Sequence, residues 1–275
     1  MTVLVLGASG TTGSRLVRQL LEHDISVRRA GRSPSAPSVH GRGAGAVADV
    51  RFDWTDPATF APAVRDVHAV YVVAPPGVAD PEPIMIPFLV EAQRAGVQRV
   101  ALLSSSAIPV GGIGARLADF VPGWTILRPT WFASNFTGDH LHARSARADG
   151  EIVSATEDGR VPFIDPDDIA AVARHVLAGP EAPCGDLVLT GPEPLTFDDV
   201  AAQLSAHTGR TVRHRRISVT DLSARLRGDG IPGAFADLLA GMDAAIAQGA
   251  EDRTTSVVEE ITGRPARSFR SFLSR

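Results

Sequence analysis

The run Val3-Leu-Val-Leu-Gly7-Ala-Ser-Gly10-Thr-Thr-Gly13 constrains this chain more than any other segment. Four apolar residues meet three glycines spaced three apart, which predicts a buried strand, a tight turn and the start of a helix. Amides at such a helix start, with the helix dipole behind them, favour a phosphate, and the glycines let backbone approach a dinucleotide pyrophosphate. The expected cradle is Gly7, Ser9, Gly10, Thr11, Thr12 and Gly13. Apolar runs at 2–6, 25–30, 46–52, 68–74, 99–104 and 124–128 then alternate with helical stretches at 12–22, 57–66, 82–95 and 114–121. That alternation predicts a Rossmann-type, doubly wound parallel α/β sheet.

The second half has shorter elements. Helices are expected at 131–149, 166–178, 196–208, 219–227 and 232–248, with strands at 151–155, 161–164, 186–190 and 211–217. They predict a smaller α/β lobe. The domain reading is a dinucleotide-binding domain over 1–130 and a substrate lobe over 131–275, packed as one folded unit.

Composition narrows the function. A net charge of -4 over 275 residues argues against a nucleic-acid or anionic-membrane surface. The lone Cys184 excludes an intrachain disulfide and fits a reducing cytoplasm. No apolar run approaches a membrane span of about 20 residues. The chain contains no lysine, and its one tyrosine, Tyr71, falls inside an expected strand. A Tyr–Lys acid–base pair is therefore excluded. The expected product is a cytoplasmic monomer or small homo-oligomer acting on a small molecule.

Candidate site residues follow from position. Where an NAD-selective chain would present an acid to the ribose, the second strand ends in Arg32-Ser33, a cationic fork and a hydroxyl suited to the 2′-phosphate of NADPH. Asp53 and Trp54 end the third strand, within reach of an adenine. Ala74 and Pro75 end the fourth, at the crevice where such sheets bind ligands. Ser104 is expected against the nicotinamide. Ser105 and Asn135 are the catalytic candidates, acting by positioning alone. Ser106, Trp131, Phe132, Phe136 and Phe163 are the expected substrate pocket. No metal is expected: Asp165, Asp167 and Asp168 read as acids at a helix start. His140 and His142, two apart, do not share a helix face, which leaves a proton-donor role for one of them.

Gly7-Ala-Ser-Gly-Thr-Thr-Gly13, Gly31-Arg-Ser-Pro34, Ser104-Ser-Ser106, Leu127-Arg-Pro-Thr-Trp-Phe132 with Asn135-Phe136, and Val161-Pro-Phe-Ile-Asp165 together resemble a known group. They are similar to the NmrA-like atypical short-chain dehydrogenases, whose members include ergot-alkaloid iminium reductases of the agroclavine dehydrogenase type, triphenylmethane reductases and NADPH:quinone reductases. The likeness extends to Gly241-Met-Asp243 and Thr262-Gly-Arg-Pro265. It implies a Rossmann domain with a small substrate lobe and NADPH as hydride source. Some members bind the dinucleotide without turning it over.

The missing acid points to a class of substrate. Reducing a ketone needs a proton at oxygen, and a positioned acid contributes about 10²–10⁴-fold. An iminium needs only hydride, and a quinone yields an anion that solvent protonates. Proximity and orientation then carry the catalysis. The expectation is an NADPH-dependent reductase of an activated planar imine or iminium, in secondary metabolism. The alternatives are an NADPH:quinone reductase, a non-catalytic NADP-sensing regulator and a non-redox cyclase.

Overall fold

The computed structural model describes residues 1–33, 45–78, 80–108, 111–180 and 183–275. Pro34, part of the motif after the second strand, lies outside them. The first half runs β1 (Thr2–Leu6), α1 (Thr11–Glu22), β2 (Ser26–Gly31), β3 (Val47–Arg51), α2 (Phe60–Val64), β4 (Ala69–Val73), α3 (Glu82–Arg94), β5 (Arg99–Leu103), α4 (Gly112–Arg116) and β6 (Gly123–Pro129). Then come α5 (Leu141–Asp149), β7 (Glu151–Ser154), β8 (Arg160–Val161), α6 (Pro166–Ala178), β9 (Gly185–Leu189) and β10 (Leu195–Thr196). The chain closes with α7 (Phe197–Thr208), β11 (Arg213–Arg216), α8 (Val219–Gly228), α9 (Gly233–Ala247), α10 (Val257–Thr262) and α11 (Phe269–Leu273).

Seven strands form one sheet in the order β3-β2-β1-β4-β5-β6-β9. The pairs among β1–β6 are parallel, with Val3 beside Val27 on one side and Ala69 on the other. The order reverses at β1 and β4, and this switch point is where open sheets hold ligands. Strand alternation divides the side chains. Leu4, Leu6, Val70, Val72, Val100 and Leu102 pack with Phe60, Met85 and Phe88 in one core. Tyr71, between Val70 and Val72, points to the face that α1 covers.

The chain divides into two compact units, 1–128 with 166–187, and 129–165 with 188–275. The first crossing between the units lies between Arg128 and Pro129. Residues 166–187 return to the first unit because its sheet needs them. α6 packs on α1, β4 and β5, and β9 supplies the seventh strand. Arg18 and Arg15 of α1 meet Asp167 at 2.6 and 3.7 Å, and Arg99 donates to the carbonyls of Val176 and Gly179 beyond the middle of α6.

The second unit has its own core of Phe136, Ile152, Phe163, Phe197, Val200, Leu204, Ile246 and Phe269. β7 pairs in parallel with β11, and β8 antiparallel with β10. The helix expected over 131–149 is instead a short 3-10 turn, Ala133–Phe136, followed by α5. Thr137 and His140 are extended (ψ 174° and 155°), and His140 caps α5 by accepting the N–H of His142 at 3.3 Å. Such caps compete with a continuous helix. Among the described residues no helix is long and apolar enough to cross a membrane.

Candidate functional site

The glycine turn has the geometry of a phosphate cradle. Gly7 lies at φ +65°, a left-handed conformation that side chains resist. Its carbonyl accepts the N–H of Gly10 at 2.9 Å. A Cβ on Gly13 would stand 2.2 Å from that same carbonyl, so helix and turn can approach only because position 13 is bare. Gly10 caps α1 without a side-chain bond, and the first turn carries no acid. The amides at this helix start thus meet no carboxylate that would compete with a phosphate. The Thr12 hydroxyl is buried and accepts from Tyr71 at 2.8 Å, which leaves only the Thr12 amide to face a phosphate. Ser9 and Thr11 are exposed beside it. These residues fit a dinucleotide.

At the sheet's next edge, Arg32 and Ser33 are exposed at the end of β2. Arg51 stands opposite Gly31 across the β2–β3 ladder and pairs with Asp56 at 2.9 Å. Asp53 accepts the N–H and hydroxyl of Thr55 at 2.9 and 2.8 Å. These two bonds, aided by the positive charges of Arg32 and Arg51, hold its carboxyl below the usual range. The expected adenine flank, Trp54, packs against Phe52, Phe60 and Phe88 with centroids 4.9, 6.0 and 5.4 Å away. It is half-buried, part core and part surface.

A cleft of about 380 Å³ opens at the carboxyl ends of β4, β5 and β6. Its walls include Ala74, Leu102, Ser104, Ile108, Ile113, Ile126 and Arg128. Val78 and Ile108 lend it exposed apolar surface. α4 meets it with Gly112, Ile113 and Gly114, so this short helix brings no side-chain acid to the cleft. Of the serines, only Ser104 lines it. Ser105 accepts the N–H of Ala107 at 3.3 Å, and Ser106 is buried. Pro75 is also buried, behind Ala74.

Arg128, on the strand Leu127-Arg-Pro, carried no role in the sequence reading. In the structure it straps the serine loop. Its Nε donates to the Ser105 carbonyl at 3.4 Å, and its Nη2 donates to those of Ser106 and Ile108 at 3.2 and 2.6 Å. Only the pairing of β5 with β6 brings these residues together, so no local pattern announces it.

The aromatic candidates belong to the second unit. Phe163 is 1% exposed and packs against Phe136, Phe197 and Phe269 at 5.1 to 6.0 Å. It is core rather than a pocket wall, and Phe136 is 4% exposed in the same cluster. Trp131 and Phe132 are half-buried. Trp131 packs against this cluster, and Phe132 bridges to Ile164. Asn135 is half-buried in the 3-10 turn, and its backbone hydrogen-bonds the His140 ring. The His142 ring stacks on Phe136 at 5.5 Å and meets Phe197 at 5.7 Å. Desolvation among these rings, with smaller repulsions from His140, His214 and Arg225, pushes its pKa down to about 3. A neutral imidazole of this kind is no proton donor near pH 7.

One further constellation has catalytic geometry without access. Ser154 Oγ lies 2.7 Å from His214 Nε2, and His214 Nδ1 lies 3.6 Å from Asp198. Ser154 is fully buried and is also bonded to the Thr156 hydroxyl at 2.7 Å. The trio ties β7 to β11 and α7, and no substrate reaches it.

The comparisons with known proteins agree with the cradle. The NAD(P)H-binding family model matches residues 7–117. An oxidoreductase of Bacillus subtilis, YesF, is 37% identical over 98% of this chain and 93% of its own length. Agroclavine dehydrogenase of Claviceps fusiformis is 36% identical over 100% of this chain and 96% of its own. The fold matches NADPH-dependent quinone oxidoreductase QOR2 of Escherichia coli, solved with NADPH, at a TM-score of 0.81 and 22% identity over 99% of this chain and 98% of that one. With whole-length likeness to named oxidoreductases added to a glycine cradle at a sheet switch point, the chain belongs to the NAD(P)H-binding oxidoreductase family of YesF and agroclavine dehydrogenase and is an NAD(P)H-dependent reductase of small molecules.

Proposed function

We propose that the protein uses NADPH to reduce an activated planar electrophile, an imine or iminium before others, without a Tyr–Lys pair. One observation carries this reading: among the described residues that line the cleft at the ends of β4 and β5 there is no tyrosine, lysine, histidine or cysteine to protonate an acceptor atom, and its two carboxyl groups, Asp80 and Asp186, are both exposed. Its wall also offers the Ser104 hydroxyl and the Arg128 guanidinium. Tyr71 is fully buried against Thr12, and burial drives its pKa far above the usual phenol range. When bound, NADPH supplies a hydride. The residues then position, and the apolar walls exclude water, which suits an acceptor already short of electrons. The agroclavine dehydrogenase relative points the same way. Arg32 and Ser33 support NADPH over NADH, because a 2′-phosphate would meet both.

A second reading, quinone reduction, is favoured by the positive charge of Arg128 in the same cleft. The test is NADPH oxidation by the purified protein with a cyclic iminium, a quinone, an enone and a plain ketone. Turnover of the first two with the ketone inert supports the proposal. Tight NADPH binding with no turnover of any acceptor returns the protein to the sensor or non-redox alternatives.

A further inference from the structure

Arg128 is held in place as few surface arginines are. Three main-chain carbonyls of the Ser105–Ile108 loop take its Nε and Nη2, while Nη1 has no acceptor among the described residues. It is half-buried and lines the cleft beside Ser104, where the neighbouring walls are Leu102, Ile113 and Ile126. A fixed donor with a permanent charge, beside apolar walls, stabilises a developing anion more strongly than the same group does in water. Two carboxylates also line the cleft, but both are exposed, and Asp80 already accepts the N–H of Glu82 at 3.2 Å. Solvent and salt screen exposed charges.

We infer that Arg128 is a catalytic residue for neutral carbonyl-type acceptors, its Nη1 donating to the acceptor oxygen as negative charge gathers there. The inference rests on the reductase reading and divides its substrates into two classes. Hydride adds to the acceptor, and the displaced π pair ends on oxygen as a phenolate for a quinone or an enolate for an enone. The cofactor leaves as NADP⁺, and solvent later supplies the proton. Arg128 keeps its own proton throughout. An iminium develops no such anion, so its reduction gains nothing from Arg128. A quinone or enone does gain.

Two measurements test this, one of them free of turnover. 4-Nitrophenol, titrated spectrophotometrically with cofactor-free protein, reports the charge felt in the cleft. The wild type is expected to lower the bound phenol's pKa by about one unit, and Arg128→Gln to abolish that shift. In steady state, the ratio of kcat for 1,4-benzoquinone to kcat for a cyclic iminium is expected to fall about 10²-fold in Arg128→Gln, with KM for NADPH unchanged. Added guanidinium ion is expected to restore part of the quinone rate. If the glutamine variant does not fold, Arg128→Lys serves instead: it keeps a cation but loses the three-carbonyl clamp, so its ratio should fall between the wild type and a tenth of it. Equal slowing of both acceptors, or an unchanged nitrophenol pKa, would mean that Arg128 only shapes the serine loop and would overturn the inference. A nitrophenol shift without NADPH oxidation by any acceptor overturns the reductase reading instead, and the catalytic role with it.

Discussion

The hydroxyl of Tyr71, 2.8 Å from Thr12 Oγ1, ties the fourth strand to the helix behind the glycine turn. A buried neutral hydrogen bond of this kind contributes about 1 kcal/mol. Tyr71→Phe should therefore lower the unfolding free energy by roughly that amount in urea titrations, with kcat for every acceptor unchanged; a lost turnover would make Tyr71 an acid after all. Gly13→Ala is the opposite kind of change. Its methyl would meet the Gly7 carbonyl at 2.2 Å, so the turn must open, and NADPH binding should weaken at least tenfold by fluorescence titration, about 1.4 kcal/mol. Arg32→Ala should weaken NADPH and leave NADH alone; a parallel loss for both would remove Arg32 as the selector. The glycine cradle was legible in the sequence because its geometry is local, set by residues three apart. The Tyr71–Thr12 bond and the Arg128 clamp were not, because parallel pairing joins residues that are 59 and about 20 positions apart.

At the scale of elements, periodicity placed the six parallel strands within a residue or so, since each is a short apolar run bounded by turns. It failed where polar caps override it. The stretch 131–149 is compatible with a helix in composition, yet His140 restarts the chain as a cap and leaves Ala133–Phe136 as a separate turn. The short α10 and α11 were missed, having too few turns for an apolar stripe. α9 presents another buried acid. Asp243 Oδ2 accepts the N–H of Ala155 at 2.9 Å, and burial raises its pKa to about 6. The folded state therefore holds a proton that the unfolded chain releases near 4. Stability from that proton is fully present below pH 4 and is lost as pH rises through 6. His142 acts with the opposite sign: its depressed pKa costs stability as pH falls below its ordinary value toward 3. Comparing Asp243→Asn with the wild type isolates the first effect. The asparagine keeps an acceptor for Ala155 without a buried charge. Its advantage over wild type should be greater at pH 8 than at pH 4 by roughly 1–3 kcal/mol. A pH-independent difference in urea midpoints would mean that Asp243 does not titrate in this range.

For the whole molecule, the sequence reading set a boundary near residue 130 within one folded unit, and the seven-stranded sheet also takes in residues 166–187. A βαβ chain that stopped at that boundary would strip α6 from the flank of α1 on which it packs in the intact protein. It would also lack β9, the seventh strand, and leave β6 as a bare edge. The stretch 166–187 repairs both defects: α6 brings Ile169, Val172, Val176 and Leu177, all buried, and Asp167 meets Arg15 and Arg18 of α1. That debt could not be read from residues 166–187 themselves, since an amphipathic helix and a short strand are equally at home in either unit. The consequence is a prediction about fragments. A chain of residues 1–130 should be soluble only poorly, with an unstructured near-ultraviolet dichroism signal and no measurable NADPH binding. Residues 1–128 joined to 166–187 by a glycine–serine linker should fold cooperatively and bind NADPH, because every residue of the glycine cradle and every strand named in the seven-stranded order would then be present up to Leu187. If the 1–130 fragment folds and binds as well as the joined chain, α6 and β9 are decoration on a self-sufficient six-stranded sheet. If neither binds, the cradle's competence depends on the second unit, and the dinucleotide site is larger than the first unit alone.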